Sequence, residues 1–220
     1  MKSVTEIFDI LYSAYGPQRW WPGEGQFETI LGAILTQNTT WHNAALAIAN
    51  LAAAGLIEPN ALYKTPSNKT RELIAPAGYF NVKYRRIRNF LEYLKKHDMD
   101  LERFRHLPVA DLREELLQVN GVGPETADSI LLYAFERPTF VVDGYTRRLF
   151  SRLGHIWMEK AKYEEIQSFF MEEIPSDVKI YNEYHALIVA HCKDTCKKRT
   201  PLCFTCVLSA SCADRQLPEP

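Results

Sequence analysis

The sequence predicts an all-α protein, on three observations. Apolar residues recur at helical spacing along almost the whole chain, no segment alternates apolar and polar residues, and the turns are short. The 220 residues allow one or two domains with sizeable cores. Hydrophobic content of 46% and charged content of 24% are ordinary for a soluble globular chain. No stretch reaches the roughly 18 to 20 apolar residues that a membrane span needs.

Taken in order, Ser3-Val4-Thr5-Glu6 reads as a capping box, with Ile7, Ile10, Leu11 and Ala14 on one face behind it. A Pro/Gly-rich aromatic loop covers 16–25. Phe27, Ile30, Leu31, Ile34 and Leu35 mark a buried helix ending near Gln37-Asn38-Thr39. Ala44, Ala45, Ile48 and Leu51 mark a second, which stops before Gly55. Leu73-Ile74 closes a short helix before Pro76, and Ile87, Phe90, Leu91 and Leu94 are the stripe of a long one after Asn81. Helices over 112–119, 124–134, 143–153, 163–174 and 178–191 complete the set.

Between two of these lies Val119-Asn120-Gly121-Val122-Gly123-Pro124-Glu125. Two glycines turn the chain, and proline takes the first helical position, where its missing N–H costs nothing. The amides of Gly121, Val122 and Gly123 then suit one phosphate at a helix N-terminus, although an ordinary helix–helix corner explains the same residues. Asp143 follows the apolar run Phe140-Val141-Val142. It can simply cap the next helix, or serve as an active-site carboxylate, with burial raising its pKa and the helix dipole favouring its ionised form.

Net charge is −1, so any nucleic-acid partner must be met by local groups. Three basic groups exist: Lys83 to Arg88, then Arg147, Arg148 and Arg152, then Lys193 with Lys197-Lys198-Arg199. Such runs are most often solvated faces. All five cysteines lie near the C-terminus, four of them as Cys196-x6-Cys203-x2-Cys206-x5-Cys212. The N-terminus lacks an apolar leader, which predicts a cytoplasmic protein with reduced thiols. Four soft ligands in so compact a loop predict a metal centre, with a [4Fe-4S] cluster favoured over zinc because zinc modules space two CxxC-type pairs evenly. Cys192 reads as a small buried residue on a helix.

Hairpin, Val-Asp and cysteine loop, in this order, resemble the helix-hairpin-helix DNA glycosylases of the endonuclease III superfamily, over residues 26 to 212. Leu31 to Thr39 resembles the segment after that family's first barrel helix, Gly78-Tyr79-Phe80-Asn81 its Gly-Leu-Tyr-Asn loop, and His191 to Cys196 its entry to the cluster. The resemblance implies two helical lobes: a six-helix barrel with the hairpin over 26–135, and a second lobe of 1–25 and 136–220 holding the cluster on Cys196, Cys203, Cys206 and Cys212. It implies a monomer acting on double-stranded DNA that carries a damaged base, flipped out for reaction. Gln37 and Tyr79 then fill the hole or wedge the duplex, Lys83 and Lys198 join the hairpin in binding DNA, and Asp143 is the catalytic carboxylate.

One departure decides the reaction. Bifunctional members carry a Schiff-base lysine where this chain has Glu125, and a carboxylate cannot form an imine, so a monofunctional hydrolase is expected. Trp20, Trp21 and Trp41, with Pro22, gather around the expected base pocket, and Trp-Trp-Pro with a glutamate after the hairpin resembles the 3-methyladenine glycosylase branch. Indole faces attract the cationic ring of an alkylated purine. Trp21 and Trp41 are expected to sandwich the base, with Trp20 and Glu125 also in the pocket. The alternatives are excision of oxidised pyrimidines or mismatched bases, a non-catalytic DNA-binding iron-sulfur module, and a zinc-stabilised nuclease.

Overall fold

The computed structural model describes residues 2–21, 23 and 25–216. Pro22 of the tryptophan group lies outside the described residues, as do the extreme ends expected in the second lobe. The fold is all-helical; among the described residues there is no strand. The chain divides into two compact units, one of Trp21–Arg137 and one of the residues up to Trp20 together with those from Pro138 on. The division falls a few residues from the expected 25/26 because Trp21 packs on Trp41 and Tyr133 and so belongs with the central segment.

The central unit is built around α2 (Gln26–Leu35), whose residues Leu31 to Leu35 are all buried. A helix apolar on every side can only be an axis for others to pack around. Around it stand α3 (Trp41–Ala53), α6 (Phe80–Lys95) and α8 (Pro124–Ser129) with the turn that continues it. The shorter α4 (Pro59–Lys64), α5 (Ser67–Ile74) and α7 (Val109–Leu117) close the shell. The helix expected over 124–134 is α-helical only to Ser129. Residues Ile130–Ala134 widen into a π-turn, with Phe135 N–H bonding Ile130 O at 3.3 Å. Such widened turns put a side chain where regular spacing would not, and the residue so placed is Tyr133. Arg113 on α7 grips Asp128 on α8 through two bonds, Nε–Oδ1 at 2.8 Å and Nη2–Oδ2 at 3.0 Å, bracing the hairpin from behind.

The other unit holds α1 (Val4–Tyr15), α9 (Gly144–Arg152), α10 (Tyr163–Glu173) and α11 (Val178–Asp194). The capping box at Ser3 and Glu6 forms as the sequence indicates. The buried face of α1 is Val4, Ile7 and Leu11, whereas Ala14 is exposed, because the stripe packing on α10 and α11 begins one turn earlier. Its core is aromatic: Phe140 stacks on Phe170 at 4.3 Å, and Phe150 and Tyr184 meet Phe170 edge-on.

Candidate active site

Asp143 is the N-cap of α9. Its Oδ1 accepts from Thr146 N at 2.8 Å and from Thr146 Oγ1 at 3.0 Å. That leaves Oδ2 facing His185 Nε2 on α11, at 3.5 Å. The carboxylate is 12% exposed. Burial pulls its pKa up, but the imidazole and the Thr146 donors outweigh that, and the group ends below its ordinary value. It is therefore an anion held in place. Sequence reasoning missed His185. The only signal was a histidine on an otherwise apolar helix face, and spacing alone could not pair it with an aspartate 42 positions earlier. The Trp20 ring meets His185 edge-on, with centroids 6.3 Å apart.

The four cysteines of the loop line a single cavity, with Leu149, Leu153, Leu208, His191 and Arg152 among the other walls. Among the described residues no group of three or more His, Cys, Asp or Glu side chains closes on a single ion. The donor set, four thiols spread around one space, suits a polynuclear iron-sulfur group, in which each thiolate meets a different metal atom. Arg152 Nη1 reaches Cys196 Sγ at 3.3 Å, and His191 Nε2 lies 3.6 Å from Cys206 Sγ while Tyr15 meets its Nδ1 at 2.7 Å. The neighbouring Cys192 thiol and Arg152 draw the Cys196 pKa down, whereas burial holds those of Cys206 and Cys212 up. Cys192 is buried, 3.6 Å from Tyr145 O.

The arginines after Asp143 are neither a solvated face nor free for phosphate. Arg148 donates to the carbonyls of Cys192 and Cys196, and Arg152 to those of Lys197 and Lys198. Arg147 donates to Met158 O and Ala161 O. Arg148 and Arg152 pin the cysteine loop, on which the Lys198 side chain is exposed.

In the central unit, Gly121 has φ +101°, and a Cβ there would lie 2.4 Å from Arg86 Cγ, so the turn requires glycine. Gln37 joins this turn: its Nε2 donates to Gly121 O at 3.1 Å and Thr126 Oγ1 at 2.8 Å, and its Oε1 accepts from Arg86. Tyr79 is 72% exposed with φ +45°, a strained backbone for a tyrosine. Four expectations need correction. Val122 does not present its amide outward, because its N–H closes the turn on Val119 O at 2.9 Å and its side chain joins the core. Lys83 cannot meet a phosphate: it is 1% exposed, and its Nζ bonds Leu35 O at 2.8 Å and Ala77 O at 2.5 Å. Burial and Arg86 draw its pKa down to about 8. Nor can Trp21 and Trp41 sandwich a base as they stand. Their centroids are 5.0 Å apart, and two rings with a base between them need roughly twice a single stacking distance. The other neighbour of Trp21 is Tyr133, stacked at 4.7 Å. Glu125 lies exposed on the first turn of α8 rather than enclosed in a pocket. Trp20 is the tryptophan placed beside the Asp143–His185 pair.

A glycine hairpin between two helices, followed by an ionised aspartate capping a third, is the arrangement that the resemblance to helix-hairpin-helix DNA glycosylases implies. The chain belongs to the HhH-GPD superfamily of base excision DNA repair proteins, whose family description matches residues 31–176. It is 47% identical over 214 residues, 96% of each chain, to a Methanocaldococcus jannaschii protein provisionally named a DNA repair glycosylase. It is 35% identical to an endonuclease III of Sulfolobus acidocaldarius, over 84% of this chain and 81% of that one. Among solved structures it resembles the Helicobacter pylori 3-methyladenine DNA glycosylase bound to 1,N6-ethenoadenine, at 28% identity and TM-score 0.75, covering 86% of this chain and 97% of that one. A trapped covalent endonuclease III–DNA intermediate shares the fold at TM-score 0.81 and 21% identity, covering 97% of each chain. The protein is accordingly a DNA base-excision repair glycosylase. Among the described residues no helix is long and apolar enough to cross a membrane.

Proposed function

We propose that this glycosylase hydrolyses the N-glycosidic bond of alkylated purines such as 3-methyladenine in double-stranded DNA, acting as a monomer and leaving an abasic site. The observation that carries the reaction is Asp143, a carboxylate kept ionised by Thr146 and His185. A fixed negative charge stabilises the electron-poor sugar that forms as the base departs. Glu125 stands where a Schiff-base lysine would be needed, which supports hydrolysis without a lyase step.

The substrate class rests on the tryptophans. An alkylated purine is already cationic, and each indole face attracts it by roughly 0.5 to 2 kcal/mol. The Nε1 atoms of Trp20 and Trp21 are buried with no hydrogen-bond partner among the described residues, so each is a donor suited to a base acceptor. Trp20, which meets the His185 ring edge-on beside Asp143, is the tryptophan assigned to the base. The relative bound to 1,N6-ethenoadenine agrees in substrate class. Exposed Tyr79 serves as the wedge, Gln37 braces the hairpin through Gly121 O and Thr126 Oγ1, the amides of Gly121 and Gly123 meet the strand, and Lys198 meets phosphate. Cys196, Cys203, Cys206 and Cys212 would hold a [4Fe-4S] cluster, which would stiffen the loop carrying Lys198.

The 35% identity to an endonuclease III favours a second reading, excision of oxidised pyrimidines or mismatched bases. A panel of duplexes carrying alkylated, oxidised and mismatched bases, scored with and without alkali, separates the two. Strand cleavage at alkylated purines only after alkali is the expected result. Cleavage without alkali, or preference for an oxidised pyrimidine, counts against the proposal. The cluster is tested apart from activity, by a brown chromophore and four irons per chain that Cys203→Ser diminishes.

A further inference from the structure

We propose that His185 is a positioning residue for base excision, its Nε2 set 3.5 Å from Asp143 Oδ2 so that the carboxylate is held in one orientation. The inference rests on the assignment of Asp143 to the reaction and goes beyond it in naming what governs that group.

An aspartate that only caps a helix needs its own helix and water. Asp143 has the first through Thr146, both bonds falling on Oδ1. Its second oxygen instead meets a side chain from a different helix, α11, at 3.5 Å. His185 is 6% exposed, and the α11 residues around it, Tyr184, Ala186, Leu187 and Ile188, are all buried. Leucine would fill such a position without the cost of taking an imidazole out of water. The edge of Trp20 packs against the same ring, so one histidine orders both the acid and the tryptophan assigned to the base.

The test is single-turnover excision of whichever lesion in the panel the wild type removes fastest, set beside affinity for abasic-site DNA. His185→Leu is expected to lower the excision rate roughly 10- to 100-fold, less than the loss of a donor acting on the reacting atoms themselves. Affinity for abasic DNA is expected to change less than about twofold. His185→Gln, whose amide N–H reaches nearly the same point, should recover most of the rate. In an Asp143→Asn background His185→Leu should have no further effect. Should the leucine variant not fold, His185→Asn, with an amide too short to reach Oδ2, is read for the same loss.

Wild-type rates in His185→Leu, or equal losses of rate and of abasic-DNA affinity, overturn the proposal. So does a glutamine variant as slow as the leucine one, since that places proton uptake above orientation. If the excised lesion is an oxidised pyrimidine, the substrate reading fails while the histidine comparison still stands on that lesion. A wild type inactive on every lesion overturns both.

Discussion

The Arg113–Asp128 pair offers the sharpest test of how the hairpin is held. Asp128 has a fully buried side chain, Arg113 one that is 21% exposed, and the two share a bidentate contact between α7 and α8, the helices that flank the turn. Arg113→Leu removes the cation and keeps an apolar stem. Breaking a buried pair in this way typically costs 3–5 kcal/mol, because a charge is left without its counterion. Water reaching the arginine side reduces that to about 2–4 kcal/mol. For a protein of this length each kcal/mol lowers Tm by roughly 2–4 °C, so the variant should melt about 4–16 °C below wild type. The assay is a thermal melt followed by far-ultraviolet circular dichroism. Adding Asp128→Asn should recover a large part of the loss, because it removes the stranded charge. A melting point for Arg113→Leu within about 1 °C of wild type would refute the reasoning, since burial and geometry would then have overstated the pair.

Three further outcomes are expected. Gly121→Ala should destabilise by roughly 1–3 kcal/mol in a denaturant titration, from its positive φ together with the displacement of Arg86, which also holds Gln37. Lys83 with a pKa near 8 binds fewer protons in the folded than in the unfolded state between about pH 8 and 10.5, so stability should rise with pH across that window. Lys83→Met, measured by denaturant midpoint at several pH values, should lose that rise. Tyr79→Ala should leave stability within about 0.5 kcal/mol of wild type, because the ring is 72% exposed, while slowing excision from duplex far more than from single-stranded DNA.

Helical class, the hairpin, the capping box at Ser3 and the cysteine loop were legible in the chain because each is local. Turn glycines, a proline at the first helical position and closely spaced thiols state their geometry within a dozen residues. Expectations failed wherever burial or a distant partner decided the matter. Lys83 looks like one more charge in a basic run, yet α6 turns it inward, where two carbonyls at helix ends hold it. Arg148 and Arg152 look like phosphate contacts, yet unpaired carbonyls in the cysteine loop take their donors. Trp21 and Trp41 look like two sides of a pocket, but the π-turn after Ser129 brings Tyr133 against Trp21 and packs the rings together.

By itself, then, the sequence determined the kind of fold, the glycine turn between two helices and the carboxylate at position 143 that caps the next one. Periodicity, turn chemistry and one well-placed carboxylate are properties of neighbouring residues. Only the tertiary structure decided that Asp143 is paired with His185, that Trp20 packs against that histidine, and which cations are spent inside the protein. Those outcomes depend on which helix faces come together, and residues 42 positions apart carry no local mark of their pairing.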